Sequence, residues 1–138
     1  MQFIVASRQE IVQGVAVREP FAVISITDPG TPRPRIRKPV LFRGALFLKF
    51  HDAEDVHPDI VLMTPQQARR IWRFVLDQLP NVGAFVVHCE QGASRSPAVA
   101  AAICKTLGGD DSRFFQEYVP NRYVYDLLLK TVPKGFRL

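Results

Sequence analysis

Short apolar runs alternate with amphipathic stretches along this chain of 138 residues. Phe3–Val5 predicts a brief edge strand. Phe21–Ile26 predicts a buried strand, stopped by the turn residues Asp28, Pro29 and Gly30. Ala45–Phe50 predicts a third strand and Phe85–Val87 a fourth, the latter apolar throughout as a strand covered on both faces is. Between these two, Ala68, Ile71, Trp72, Val75, Leu76 and Leu79 recur at helical spacing, with Arg69, Arg70, Arg73 and Asp77 on the wet side. Trp72 lies on the apolar stripe and is expected in the core. Thr64, Pro65 and Gln67 supply a cap, a first-turn proline and a capping box for this helix. Ser7 and Glu10 form a second such box, opening a short helix with Ile11 and Val12.

Further on, Pro97–Cys104 is uncharged and rich in alanine, the pattern of a buried helix, which ends near Leu107 with Gly108 beyond it. Asp110 or Asp111 caps a short helix burying Phe114, Phe115 and Tyr118. Pro120–Asn121 opens a last helix through Val124, Leu127 and Leu128, which stops at Pro133. Strands alternating with helices predict an α/β fold: a central, mostly parallel sheet of about four to five strands with helices on both faces. Neither a repeat nor a linker divides residues 1–138, so one domain is expected.

Composition narrows the class. The chain is 47% hydrophobic and 22% charged, ordinary for a soluble globular protein. No apolar run approaches the roughly 20 residues of a membrane span, and Met1–Val5 lacks the pattern of a signal peptide. Two cysteines do not make a disulfide framework, so a reducing, cytoplasmic setting is expected. The net charge of +5 favours acidic or phosphorylated partners without selecting among them, and no membrane partner is expected. Much of that charge lies in Thr31–Arg43, where Pro32, Pro34 and Pro39 alternate with Arg33, Arg35, Arg37, Lys38 and Arg43. Proline blocks a helix or a central strand here, leaving an extended surface loop. It is either ordinary solvated surface or an electrostatic collar for an anionic substrate.

The candidate chemistry begins at Val86–Val87–His88–Cys89–Glu90–Gln91–Gly92–Ala93–Ser94–Arg95–Ser96. A strand passes into a tight loop and then a helix, with Cys89 at the loop's start and Arg95 at its end. Amides of such a loop converge on an oxyanion, and the helix points its positive end at the same spot. Arg95 adds a planar fork suited to two phosphate oxygens, and Gly92 permits close backbone approach. A thiol in that field is expected to ionise readily, placing a nucleophile against a bound phosphoryl group.

His88–Cys89, five residues, then Arg95–Ser96 resembles the signature of the cysteine-dependent protein tyrosine phosphatases. Gly92–Ala93–Ser94–Arg95–Ser96–Pro97 is most similar to their small dual-specificity branch. The resemblance runs from about Phe21 to Leu129 and includes Asp52 after a strand and Pro120–Asn121 before the last helix. It implies a phosphatase fold and hydrolysis of phosphotyrosine, with phosphoserine and phosphothreonine as further substrates, through a phosphocysteine on Cys89. Glu90 to Arg95 would bind the phosphate, Ser96 would stabilise the departing thiolate, and His88 would orient the loop.

The general acid is expected among Asp52, Asp55 and Asp59. Asp52 is favoured because it follows a strand directly and matches the family's position, and Asp55 is the alternative. The same loop holds His51 and His57, but no fixed metal-ligand spacing, so neither a metal nor a cofactor is expected. A phosphorylated protein or peptide is the expected partner. Two other phosphatase substrates stay open, a phosphoinositide and an RNA 5′ end, as does phosphate binding without catalysis. Lipid-directed relatives usually carry lysine within the loop, and none stands between Cys89 and Arg95. No basic-aromatic track marks a nucleic-acid strand site.

Overall fold

The computed structural model describes residues 1–136. Its four strands are β1 (Gln2–Ala6), β2 (Phe21–Thr27), β3 (Phe42–Lys49) and β4 (Ala84–His88). They form one sheet in the order β1-β4-β2-β3, and every neighbouring pair is parallel. The expected four to five mostly parallel strands are thus four, all parallel. β4 pairs with β1 on one side and β2 on the other, and all five of its residues are buried.

β3 begins at Phe42 rather than Ala45, taking in Arg43 and Gly44, and stops at Lys49, before Phe50. The register shifts between Phe21 and Ala22 of β2, and this irregularity lets the glycine-containing start of β3 pair despite its weak strand pattern.

Helices α2 (Pro65–Gln78), α3 (Arg95–Thr106), α4 (Ser112–Glu117) and α5 (Arg122–Lys130) share one core with the sheet. Both predicted capping boxes are present, at Ser7 and at Thr64. Trp72 is wholly buried and donates its indole N–H to the Leu128 carbonyl at 3.0 Å. The apolar stripe of α2 is narrower than its pattern: Leu76 is 43% exposed, while Ala68, Ile71 and Val75 are buried.

The other face of the sheet is covered differently. Only the six-residue helix α1 (Arg8–Gln13) lies there, and residues of the proline-rich loop complete the cover. Pro34 and Ile36 turn inward and are buried, while Arg33, Arg35, Arg37 and Lys38 stay exposed. Ile36 packs in one cluster with Ile11, Phe21, Val23 and Val86. The expected surface loop is therefore half structural, because alternate residues of an extended segment face opposite ways.

One polar pair sits inside the sheet. His88 at the end of β4 is fully buried, and its Nε2 lies 2.6 Å from Ser25 Oγ on β2. Its Nδ1 lies 3.2 Å from the Cys89 carbonyl, which only accepts, so Nδ1 carries the proton and Ser25 donates to Nε2. Both ring nitrogens of a neutral imidazole are thereby satisfied.

Burial lowers the His88 pKa from 6.5 to about 4, and the positive charges of Arg8 and Arg95 push the same way against the Cys89 hydrogen bond. The unfolded chain takes up a proton below its pKa while the folded chain does not. Stability should therefore be full above pH 6.5 and fall as the pH drops from 6.5 towards 4, by roughly 3 kcal/mol from this group. Urea denaturation across that window should show a steeper loss for the wild type than for His88→Asn. Equal slopes would mean that the buried imidazole does not set the acid limit.

Candidate active site

Cys89 lies at the carboxyl end of β4, where ligands gather in open parallel sheets. The backbone from Glu90 to Ser94 turns back into α3, whose first residue is Arg95. Two short elements fix this loop from behind. The Cys89 amide reaches the Ala6 carbonyl at 3.4 Å, and the Arg8 amide donates to the Glu90 carbonyl at 3.0 Å. The Arg8 guanidinium adds an ion pair to Glu90 at 3.3 Å and holds the Pro32 carbonyl at 2.6 Å.

Gly92 adopts φ +68°, and a Cβ there would come within 2.7 Å of the Ala6 backbone. The close approach expected of this glycine is therefore to the β1–α1 junction beneath the loop.

Amides from Glu90 to Ser96 find no acceptor among the described residues. Ser94 stands at the N-cap of α3 but makes no capping hydrogen bond. Its hydroxyl donates instead to Asp52 Oδ1 at 2.8 Å. A serine that would normally satisfy the first turn is thus diverted, and the helix's N-terminal donors stay free for an anion.

Arg95 is buried, and its donors are divided. Nη1 gives one hydrogen to Asp28 Oδ1 and another to the Phe50 carbonyl, each at 2.7 Å. Nε is buried without a partner. Asp28 and Phe50 therefore hold one end of the guanidinium and leave the Nε–Nη2 edge, the edge that grips two oxygens of an oxyanion side by side. The sequence shows Asp28 only as a turn residue. Its part here has no local signal, because the partners stand 67 positions apart.

Cys89 is 3% exposed, and its Sγ lies 3.1 Å from the hydroxyl of the buried Ser96. A cavity of about 360 Å³ opens over the sulfur and is walled by Asp28, His51, Asp52, Glu90, Ser94 and Arg95. Gln91 and Ala93 also line it. His88 lies behind the loop, within the sheet.

Asp52 is held by two donors on one oxygen, Ser94 Oγ and Asn121 Nδ2, the latter at 2.9 Å. Asn121 also donates to the Ala53 carbonyl and accepts from the Val124 amide, which caps α5. This side chain thus joins the loop after β3, the Cys89 loop and the last helix. Asp55 is exposed and lines an adjoining cavity of about 300 Å³ with Asn121. It is Asp52 that shares the cavity of Cys89. His51 closes its own loop, accepting from the Val61 amide at 2.8 Å. Among the described residues, no three His, Cys, Asp or Glu side chains converge as a metal-ligand set.

No protein-family model matches the sequence, and no curated protein does. Solved structures do. The human tyrosine phosphatase-like serine/threonine/tyrosine-interacting protein aligns with TM-score 0.54 and 23% identity over 80% of this chain and 74% of its own. Human DUSP28 aligns with TM-score 0.59 and 19% identity over 94% of this chain and 90% of its own. The mouse putative dual specificity phosphatase complexed with zinc tungstate gives TM-score 0.53 and 20% identity over 81% of this chain and 69% of its own. At such identities the likeness is one of fold, and the chain has the fold of the dual-specificity phosphatases.

Proposed function

We propose that this protein is a cysteine-dependent phosphatase of phosphorylated proteins or peptides, acting on phosphotyrosine and on phosphoserine and phosphothreonine that reach the same sulfur. The observation that carries this reading is the meeting of three groups in one cavity. These are the Cys89 sulfur, the unpartnered Nε edge of Arg95 and the Asp52 carboxylate.

The chemistry follows from those positions. The loop amides and the Arg95 edge would hold three phosphoryl oxygens and leave the fourth, the ester oxygen, pointing out of the cavity. Thiolate Cys89 would attack phosphorus, forming the S–P bond as the ester P–O bond breaks. Asp52 would give its proton to that leaving oxygen. Both of its hydrogen-bond donors sit on Oδ1, so Oδ2 would carry the proton. A water would then lose a proton to Asp52 and attack phosphorus, and the S–P bond would break with the electron pair returning to sulfur. The Ser96 hydroxyl, 3.1 Å away, would donate to that thiolate.

Replacing Cys89 by Ser should abolish turnover while leaving inorganic phosphate binding intact, since the amides and Arg95 remain. Turnover of a phosphotyrosine peptide followed beside phosphate titration checks both halves. Activity within tenfold of wild type would exclude the phosphocysteine route. Phosphate binding without turnover in the wild type would leave a binding module.

Arg95→Lys keeps the charge but loses the planar edge that Asp28 and Phe50 position. A drop in kcat/KM of at least ~100-fold is expected, the scale of losing one transition-state donor. Near-normal kcat/KM would show that the paired contact is not used.

Asp52→Asn should remove the alkaline limb of the kcat/KM profile, because a general acid must hold its proton. The loss should be large for phosphotyrosine, whose leaving phenol has a pKa near ~10, and small for an aryl phosphate with a strongly acidic phenol. Retention of that limb in Asp52→Asn, with its loss in Asp55→Asn, would transfer the role to Asp55.

A further inference from the structure

The charge of this protein is unevenly spread. From Pro29 to His51 there is no acidic residue and there are six basic ones, so the rest of the chain holds 12 basic against 13 acidic and is near neutral. Arg33, Arg35, Arg37 and Lys38 in this segment are exposed, and none forms an ion pair among the described residues. Beneath them lie two cavities that meet at Ile36 and Lys38. One, of about 460 Å³, is floored by Phe42, Ala45 and Phe47 of β3. The other, of about 530 Å³, is floored by Ile11, Val15, Phe21 and Pro39. This is the sheet face covered by α1, the segment after it through Val17, and the loop.

The loop is also tied down. Lys49 holds the Thr31 carbonyl at 2.7 Å, the Arg33 guanidinium lies 4.1 Å over the Phe47 ring, and Arg37 holds the Val12 carbonyl. Its first end is at the candidate active site, since Asp28 bonds to Arg95.

We infer that this groove docks an acidic peptide segment bearing apolar side chains, carried on the same phosphoprotein whose phosphorylated residue enters the Cys89 cavity. The cations would receive the carboxylates, and the two recesses would take the apolar side chains. Charge complementarity selects this occupant, because the groove carries an uncompensated positive rim over an apolar floor. A nucleic-acid strand fits less well: the Phe47 face is taken by Arg33, and Phe42 meets Phe21 edge-on, so no aromatic face is offered to a base. A membrane fits less well because Val40 alone of the loop's large apolar side chains protrudes while Ile36 is buried, whereas lipid insertion needs several apolar groups to protrude together.

The geometry sets a spacing. Phe50, whose carbonyl holds Arg95, is followed back along β3 by Phe47 and then Phe42. At about 3.3 Å per paired residue, with Arg43 the extra residue at the register shift, those side chains lie roughly 10 and 23 Å from that contact, a span an extended peptide covers with about three to seven residues. The acidic and apolar residues should therefore stand about that far along the substrate from the phosphorylated one.

The inference rests on the phosphatase reading only for the identity of the protein that carries the segment, so docking is measured apart from turnover. A fluorescent, unphosphorylated peptide alternating Glu and Leu is titrated onto the Cys89→Ser protein by anisotropy. Binding should weaken with rising salt and drop at least about tenfold in Arg33→Glu/Arg35→Glu/Lys38→Glu. The same charge change on α2, Arg69→Glu/Arg70→Glu/Arg73→Glu, should leave it intact. If the phosphatase reading also holds, adding this segment to a phosphotyrosine peptide should lower KM at constant kcat in the wild type, and the loop variant should lose that gain while hydrolysing the short peptide normally. Equal binding by the loop variant, equal weakening by the α2 variant, or tighter binding of single-stranded RNA or phosphatidylserine vesicles than of the peptide would overturn the inference.

Discussion

A Cβ on residue 92 would stand 2.7 Å from the Ala6 carbonyl carbon and 2.9 Å from the Ser7 nitrogen, both backbone atoms that cannot swing aside. The loop between Cys89 and Arg95 therefore rests against the β1–α1 junction with nothing between them. That contact sets the direction of the loop, and the hydrogen bonds from the Cys89 and Arg8 amides seal it. Once the back of the loop is occupied, its free amides are left to the open side. The site is thus a property of two chain segments more than 80 residues apart, pressed together by one missing side chain.

Polar groups around the cavity are satisfied in a way that leaves the useful ones idle. Ser94 abandons its capping position for Asp52, Asn121 steadies the same carboxylate, and Asp28 with the Phe50 carbonyl occupies one nitrogen of Arg95. Each arrangement fixes a functional group through atoms the proposed chemistry does not need. Buried donors without partners normally destabilise a fold, and here they concentrate where an oxyanion would repay them.

The elements with local signals were legible in the sequence. Both capping boxes, the centre of the interior strand at Phe85–Val87, the Trp72 stripe and the helix after the loop follow from residue spacing over short stretches. The strand, turn and helix that carry Cys89, Arg95 and Ser96 were legible because one short segment spans them. What failed lacked any local trace. The first residues of β3 pair through a register shift that their composition does not announce, and Leu76 continues an apolar stripe that the neighbouring elements do not reach. Asp28 and Asn121 were read as turn and helix punctuation, which they are, while their contacts with Arg95 and Asp52 span 67 and 69 positions. Pro34 and Ile36 were hidden among cations, where alternation along an extended loop is hard to tell from charge patterning.

The pairing of β1 with β4 has a consequence for how the molecule forms. Gln2 aligns with Ala84 and Ala6 with His88, so the first strand must wait for one emerging more than 80 residues later. Of the two strands between them in sequence, β2 pairs with β4 on its other side. Closing such long loops costs chain entropy before any contact repays it, which slows folding. During synthesis at roughly 5–20 residues per second, several seconds separate β1 from its partner. Asn121 arrives later still, so the support of Asp52 depends on nearly the whole chain. The loop that carries Cys89 and Arg95 therefore lacks its backing from β1 and its link to the last helix until nearly the whole chain is folded.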